Sequence, residues 1–249
     1  MLQMCAVLKS RFMRRMFPCP LWVPLMIFLF SAQLPAQTTA EVEITSEPSH
    51  HLALENEYVR VFRVEVPPHQ ATLVHRHRHD YIFVTLGNAD ISNEVVGKAP
   101  VEGRLVDGEA RFTDGNFVHA ARNLSDEPFR NVTIELLQDK QLRQTRSRWP
   151  MEGGGKTFPG GQSEVLLVKD AVRVSAVELD SGTVVPRHHH EGPHLLVAVS
   201  DLDLHSDVEG KSTESWKLKS GDMMWLPAGY THALANVGLQ PARFVTVEF

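Results

Sequence analysis

Cysteine is almost missing from this chain, and the little there is lies at the front: Cys5 and Cys19 are the only two in 249 residues. From residue 20 onward no disulfide can form, so the fold must hold by packing and hydrogen bonds alone. Acidic residues are missing from the first forty positions, where Lys9, Arg11, Arg14 and Arg15 stand unopposed and the first acid is Glu41. A long hydrophobic run is missing too. The stretch Met16 to Phe30 is about fifteen residues, interrupted by Pro18, Pro20 and Pro24, where a spanning helix needs about twenty. An excess of positive charge is also lacking, since 25 Lys and Arg stand against 30 Asp and Glu. The rest is ordinary globular composition, 43% hydrophobic and 22% charged, enough for one large domain or two small ones.

The front of the chain has the layout of a secretory signal peptide: a basic region, a short apolar run, then Ser-Ala-Gln-Leu-Pro-Ala-Gln with a cleavage point after Ala36. Met13 offers an alternative start with a tidier basic region. A signal over 1–36 predicts an exported protein, periplasmic or secreted, with no membrane segment after cleavage. Its removal takes four basic side chains and no acids, so the net charge moves from −5 to 21 against 30, or −9. So acidic a domain excludes nucleic acid and anionic membrane surfaces as natural partners.

The remaining sequence is an internal repeat. Slid by 113 residues, Val59-Arg60-Val61 meets Val172-Arg173-Val174, His75 and His77 meet His188 and His190, and His119-Ala120 meets His232-Ala233. Asn123 meets Asn236, and Glu135 meets Glu248. The expected organisation is an N-terminal domain over 52–138, a polar linker over 139–163 with two glycine clusters and a short helical turn near 139–145, and a C-terminal domain over 164–249.

Within each repeat the pattern is β. Val59, Val61, Arg63 and Glu65 alternate with Arg60, Phe62, Val64 and Val66, and β-rich runs such as Ile82-Phe83-Val84-Thr85-Leu86 end in turn signals such as Gly87-Asn88. Many short strands with regular turns indicate an all-β antiparallel sandwich or barrel.

Histidine carries the chemistry. In a strand, residues i and i+2 face one side, so His75 and His77 share an interior, as do His188 and His190. Paired buried imidazoles are costly unless something binds their nitrogens, and a divalent transition metal (Fe, Mn, Ni, Cu or Zn) does so. A third histidine follows the first at the same spacing of 44 residues in both repeats, His119 and His232. His50, His51, His69 and His205 have no such context and are expected on the surface. Met223, Met224 and Trp225 are expected in the core.

At these residues the sequence resembles the cupin superfamily, whose motifs are G-x5-H-x-H-x3,4-E-x6-G and G-x5-P-x-G-x2-H-x3-N. The second repeat matches the latter at Gly221, Pro227, Gly229, His232 and Asn236. In its first motif, His188 and His190 are followed by His194 where the family has Glu. The first repeat keeps His75, His77, His119 and Asn123 but has Asp114 and Asn116 in place of Pro and Gly. Its fourth position falls on Tyr81 or Asp80. The resemblance implies two tandem cupin jelly-roll β-barrels, with His188, His190, His194 and His232 as metal ligands in the second and His75, His77 and His119 in the first. The missing Pro and Gly predict a looser first site.

The resemblance also implies a small-molecule ligand or substrate and leaves a homo-oligomer open. Its first functional expectation is a dioxygenase acting on a small oxygen-rich or aromatic compound. The alternatives are a non-catalytic metal or small-ligand binding protein of the cell envelope, and a metal-dependent isomerase or lyase. No catalytic residue is assigned: Glu191 and Tyr81 stand near the motifs without a role.

Overall fold

The computed structural model describes residues 40–138, 140, 143 and 154–249. The expected signal peptide lies outside the described residues, as does most of the expected helical turn, of which Lys140 and Arg143 are described and helical. Among the described residues no helix is long and apolar enough to cross a membrane.

The first repeat forms β1 (Val42–Glu43), β2 (His50–Glu55), β3 (Val59–Val66), β4 (His75–His77), β5 (Tyr81–Leu86), β6 (Ala89–Val95), β7 (Val101–Leu105), β8 (Ala110–Thr113), β9 (Phe117–Asn123) and β10 (Phe129–Leu136). The second forms β11 (Gly155–Phe158), β12 (Gly161–Lys169), β13 (Val172–Leu179), β14 (Val184–His190), β15 (His194–Ala198), β16 (Leu202–Val208), β17 (Glu214–Leu218), β18 (Met223–Leu226), β19 (Tyr230–Asn236) and β20 (Ala242–Glu248). Each repeat is a pair of sheets. In the first, a front sheet β1-β4-β9-β6-β7 opposes a back sheet β2-β3-β10-β5-β8. In the second, the front sheet is β14-β19-β16-β17 and the back sheet β11-β12-β13-β20-β15-β18. These are jelly-roll sandwiches, with two separate ladders each rather than one closed ring.

Strand alternation decides which way each back sheet faces. Val59 and Val61 of β3 and Val132, Ile134 and Leu136 of β10 point away from their own barrel and pack with Val172, Val174, Val245 and Val247 of the other. The two back sheets therefore share one apolar core, and burial of each such side chain contributes about 1.5–3 kcal/mol. The opposite parity, Phe62, Val64 and Val66, faces the first barrel's interior with Ile44, Leu105 and Phe129. Arg60 and Glu135, register partners on β3 and β10, share that inward face; Arg173 and Glu248 repeat the arrangement on β13 and β20. A one-residue slip would carry these charges into the inter-barrel core, so the register is strongly specified.

The motif asparagines close each barrel's edge. Asn123 Nδ2 donates to the carbonyls of Val66 and Glu127 at 3.0 and 2.7 Å, and Asn236 Nδ2 to those of Leu179 and Gln240 at 3.0 and 2.9 Å. Met223 and Trp225 pack against the inter-barrel core, and Met224 against the interior of the second barrel, as their sequence context predicts.

The linker expected over 139–163 is shorter in the structure. β11 and β12 form a hairpin in which Phe158 pairs with Gly161. Pro159-Gly160 is its two-residue turn, with Gly160 at φ 76°; Pro followed by a positive-φ Gly is the chemistry of a tight turn. The glycines at 160 and 161 mark a hairpin rather than a flexible spacer.

Candidate metal centres

Each centre lies between the two sheets of its barrel. In the first, β4 and β9 are antiparallel neighbours and place His75 opposite His119. His77, two residues along, shares the face. In the second, β14 and β19 place His188 opposite His232, with His190 beside them. The i, i+2 rule and the cross-strand pairing together bring three imidazoles to one point in each repeat. Ring centroids stand 5.0 Å apart for His75–His77, 4.6 Å for His75–His119 and 5.2 Å for His77–His119. The second set matches, at 4.8, 4.6 and 5.5 Å.

The hydrogen bonds orient the rings. In the second barrel every Nδ1 of the triad is tied: His188 to the Pro186 carbonyl at 2.8 Å, His190 to Glu248 Oε1 at 3.0 Å and His232 to Ser206 Oγ at 2.9 Å. This leaves each Nε2 lone pair free. In the first barrel, His75 Nδ1 donates to the Leu73 carbonyl at 2.8 Å and His119 Nδ1 to Asn93 Oδ1 at 2.6 Å. The buried Nε2 of His119 has no hydrogen-bond partner. His75 Nε2 and His77 Nε2 are 3.2 Å apart. Two nitrogens each about 2.1 Å from one ion stand about 3.0–3.4 Å apart, so the spacing fits a shared metal. Tied Nδ1 atoms and converging Nε2 atoms are the usual second-layer arrangement of histidine metal sites; the second barrel shows it in full, whereas in the first His77 Nδ1 has no hydrogen-bond partner and the ligand atoms grouped within 4.8 Å are those of His75, His77 and His50, with His119 farther out. Both donor sets suit a divalent transition metal.

Electrostatics agree. Burial lowers the pKa of His75 to about 4 and of His119 and His232 to about 3, and drives that of His77 far below the ordinary imidazole value. All four are neutral, the form that binds metal.

Behind each second histidine stands a carboxylate that sequence reasoning paired across the repeats without giving it a role. Glu248 accepts from His190 and, through Oε2, from Arg173 Nε at 2.7 Å. Its repeat mate Glu135 is looser: Oε1 is 3.9 Å from His77 Nδ1 and Oε2 is 3.4 Å from Arg60. Burial raises the Glu135 pKa to about 7, against the pull of Arg60. Burial also works to raise that of Glu248, but His190 and Arg173 outweigh it and hold the carboxyl below its ordinary value.

In both repeats a residue at the fourth motif position stacks on the second histidine. His194 is buried beside the triad but stacks on His190, with centroids 3.9 Å apart and planes 19° from parallel. An imidazole lone pair lies in the ring plane, so stacked rings aim theirs along near-parallel lines that do not meet at one ion. The group of converging ligand atoms is His188, His190 and His232. Tyr81 does the same in the first barrel, stacked on His77 at 4.1 Å and 18°. Asp80 is turned away, accepting from Gly115 N at 2.9 Å and from Arg143 at 2.5 Å.

At the first centre the turn before His119 is formed without Gly, and one expectation, a surface His50, is corrected. Asn116 holds φ 60° where Gly229 holds 71°, since Asn is among the few side chains that tolerate this region. Its N–H bonds the His77 carbonyl at 2.7 Å, as Gly229 N–H bonds that of His190 at 2.9 Å. His50 is not a surface residue: its side chain is 5% exposed, its ring lies 4.8 Å from that of His75, and its ligand atom groups with those of His75 and His77 within 4.8 Å. His189 is exposed and bonds Thr231 Oγ1 at 2.7 Å, while His51, His69 and His205 are exposed as expected.

A cavity of about 220 Å³ opens onto the first centre. All four imidazoles, His50, His75, His77 and His119, line it, with Tyr81, Phe83, Phe129, Thr113 and Thr133 around them.

The cupin domain family model matches residues 175–248, which contain His188, His190, His194 and His232. No curated protein matches the chain. Among solved structures, a single-residue variant of Bacillus subtilis oxalate decarboxylase is similar with a TM-score of 0.58 and 11% identity, over 81% of this chain and 75% of that one. The formate complex of Lactobacillus farciminis oxalate decarboxylase gives 0.58 and 12%, over 81% and 84%. A Bacillus subtilis oxalate decarboxylase structure concerned with its Mn(II) centres gives 0.55 and 11%, over 81% and 75%. At such identities the likeness is one of fold, and it spans both barrels. With the family match on the second repeat and the duplication that ties the first to it, the chain belongs to the cupin superfamily in its two-domain jelly-roll form.

Proposed function

We propose that this protein is an exported metal-dependent enzyme that acts on a small oxygen-rich or aromatic compound held in the N-terminal barrel. The observation that carries this reading is the cavity of about 220 Å³ whose wall includes His50, His75, His77 and His119 together. A bound divalent metal would supply Lewis-acid polarisation of a substrate oxygen and, for a redox-active ion, access to dioxygen chemistry. The chain's own residues do the rest. The facing donors are imidazoles rather than carboxylates, and His75, His77 and His119 are held neutral by burial, so none of them cancels charge on a bound ion and an anionic oxygen such as an enolate or carboxylate is a suitable further ligand. At an effective dielectric of 20, a unit charge about 4 Å away is worth roughly 4 kcal/mol before desolvation. Tyr81, Phe83 and Phe129 give the wall flat apolar surface for a ring or a short carbon chain, while Thr113 and Thr133 provide hydroxyls to orient it. Burial raises the Tyr81 pKa to about 12, so it stays protonated.

Dioxygenase chemistry is the first reading. A lyase reaction is the second, supported by the shared fold with oxalate decarboxylases. Metal analysis of the purified protein, followed by oxygen uptake and carbon dioxide release on catechols, β-diketones and dicarboxylates, separates the two. Oxygen uptake supports the first, and carbon dioxide release without net oxygen consumption the second. A metal-loaded protein inert on every member of the panel would refute the enzyme reading in favour of a binding protein. N-terminal sequencing of native protein tests export, since a retained Met1 or Met13 would exclude cleavage after Ala36.

A further inference from the structure

We propose that His50 is a fourth metal ligand of the N-terminal centre, carried in by the segment before β3 and aimed by Glu47, so that this barrel binds its ion through four imidazoles and the C-terminal barrel through three. The inference rests on the metal-binding reading above and adds to it a ligand that neither cupin motif contains.

The approach begins in the backbone. β1 runs parallel to β4, pairing Val42 with His75 and Glu43 with Arg76. The chain then turns through a 3-10 segment, Ile44–Ser46, with Ile44 buried in the barrel interior. It returns as β2, where His50 pairs with Val64 on the back sheet. The arm thus wraps from the front sheet to the back sheet and delivers His50 between them.

Glu47 fixes the ring. It is 2% exposed, and it accepts backbone N–H bonds from Ser49 at 2.8 Å and Leu73 at 3.0 Å. The Nδ1 of His50 donates to it at 2.6 Å. With Nδ1 tied, Nε2 is the atom left to coordinate, as in the three-histidine set of the other barrel. Leu73 couples the two ligands, since its N–H serves Glu47 and its carbonyl accepts from His75 Nδ1 at 2.8 Å. The His50 ring stands 4.8 Å from His75 and 6.3 Å from His77, on the wall of the same cavity.

The duplication supplies an internal control. Val64 corresponds to Val177, and the residue paired with Val177 on the adjacent strand is Ser163. Ser163 therefore holds the place of His50 in the second barrel, and Gly160 that of Glu47. The arm's ligand and its aiming carboxylate occur together in one barrel and are absent together from the other.

The test uses full-length protein with His190→Ala and His232→Ala, which confines metal to the first centre. Competition titration with zinc against a chromophoric chelator, and X-ray absorption of the one-equivalent zinc form, give affinity and imidazole number. The proposal expects four imidazoles, falling to three in His50→Ala with at least a 10-fold weaker Kd. Glu47→Gln should keep four imidazoles but weaken Kd about 10-fold, the size of a lost second-layer partner. Three imidazoles in the background protein, or a His50→Ala Kd within twofold of it, overturns the proposal while leaving the three-histidine site standing. If His50→Ala does not fold, His50→Gln and the imidazole number of the unsubstituted background still decide. A background protein that binds no zinc at all would refute the metal reading itself, a result visible before His50 is changed.

Discussion

The two carboxylates behind the second histidines invite a paired perturbation, Glu248→Gln and Glu135→Gln. Glu248 bonds His190 Nδ1 at 3.0 Å and is held ionised by Arg173. Gln keeps the length and an accepting oxygen, but it removes the charge and turns an amide N–H₂ toward a guanidinium. A hydrogen bond to a charged partner contributes about 1.5–3 kcal/mol and a neutral one about 1. Loss of a second-layer carboxylate typically weakens metal binding by about 10–100-fold, or about 1.4–2.8 kcal/mol. Glu135 starts from a weaker position, with Oε1 3.9 Å from His77 Nδ1, outside hydrogen-bond range, and a pKa raised by burial to about 7. Its replacement should cost roughly 3-fold or less, since little charge-assisted bonding is there to lose. Each is measured by zinc competition with the other centre disabled, through His75→Ala and His77→Ala for the C-terminal site and His190→Ala and His232→Ala for the N-terminal one. The apo form of Glu248→Gln should also melt lower, because Arg173 loses its buried partner, and this is scored separately from affinity. Equal losses at the two centres, or no loss at either, would refute the claim that these carboxylates reach the metal through an imidazole.

Replacing His194 with Ala should leave zinc affinity at the second centre within about 3-fold and remove a stacked ring pair worth roughly 0.5–1.5 kcal/mol of stability; a tenfold or larger loss of affinity in the same titration would make His194 a ligand. Asn116→Gly should be tolerated in thermal melts, whereas Asn116→Val should cost about 1–2 kcal/mol, because a β-branched side chain at φ 60° meets the left-handed penalty; equal melts would show that the turn is not held there. The metal-free protein should lose stability as pH falls from about 6.5 toward 4, at up to about 1.4 kcal/mol per pH unit for each buried histidine. The sign follows from the unfolded chain binding protons below about 6.5, while His75 refuses them until about 4 and His119 and His232 until about 3. A urea midpoint flat across that window would contradict it.

Much of this was legible in the sequence because duplication doubles every signal. The 113-residue offset picks out His75, His77 and His119 against His188, His190 and His232, and strand parity puts each pair on one face. The elements that escaped are those without a repeat mate or those set by orientation. His50 faces Ser163 across the offset, so nothing in the repeat marks it, and its burial depends on an arm that crosses from one sheet to the other. The motif position at 194 was legible as a place in the barrel but not as a ring plane, and stacking rather than proximity keeps it from converging. Asn116 departs from the motif's Gly in residue type but not in conformation, since Asn is among the few residues able to stand in for it. The hairpin at Pro159-Gly160 was hidden because glycine clusters punctuate linkers and tight turns alike.

The distribution of likeness and difference between the two centres follows from where each group is anchored. Arg60–Glu135 and Arg173–Glu248 sit on strands whose other face builds the inter-barrel core. A change of register or backbone there disturbs two barrels at once, so the inward charges are held in place by packing that has nothing to do with metal. The histidines of β4 and β14 sit on front sheets and keep their places through cross-strand partners on β9 and β19. The arm before β3 has no such double duty: it is an edge, contacted from one side, and its counterpart in the second barrel became the β11–β12 hairpin. Edges are where a duplicated fold can change its ligand set at least cost to the core. If the two barrels have come to do different work, the difference should therefore be written in residues 41–50 and 155–163 rather than in the shared histidine triads.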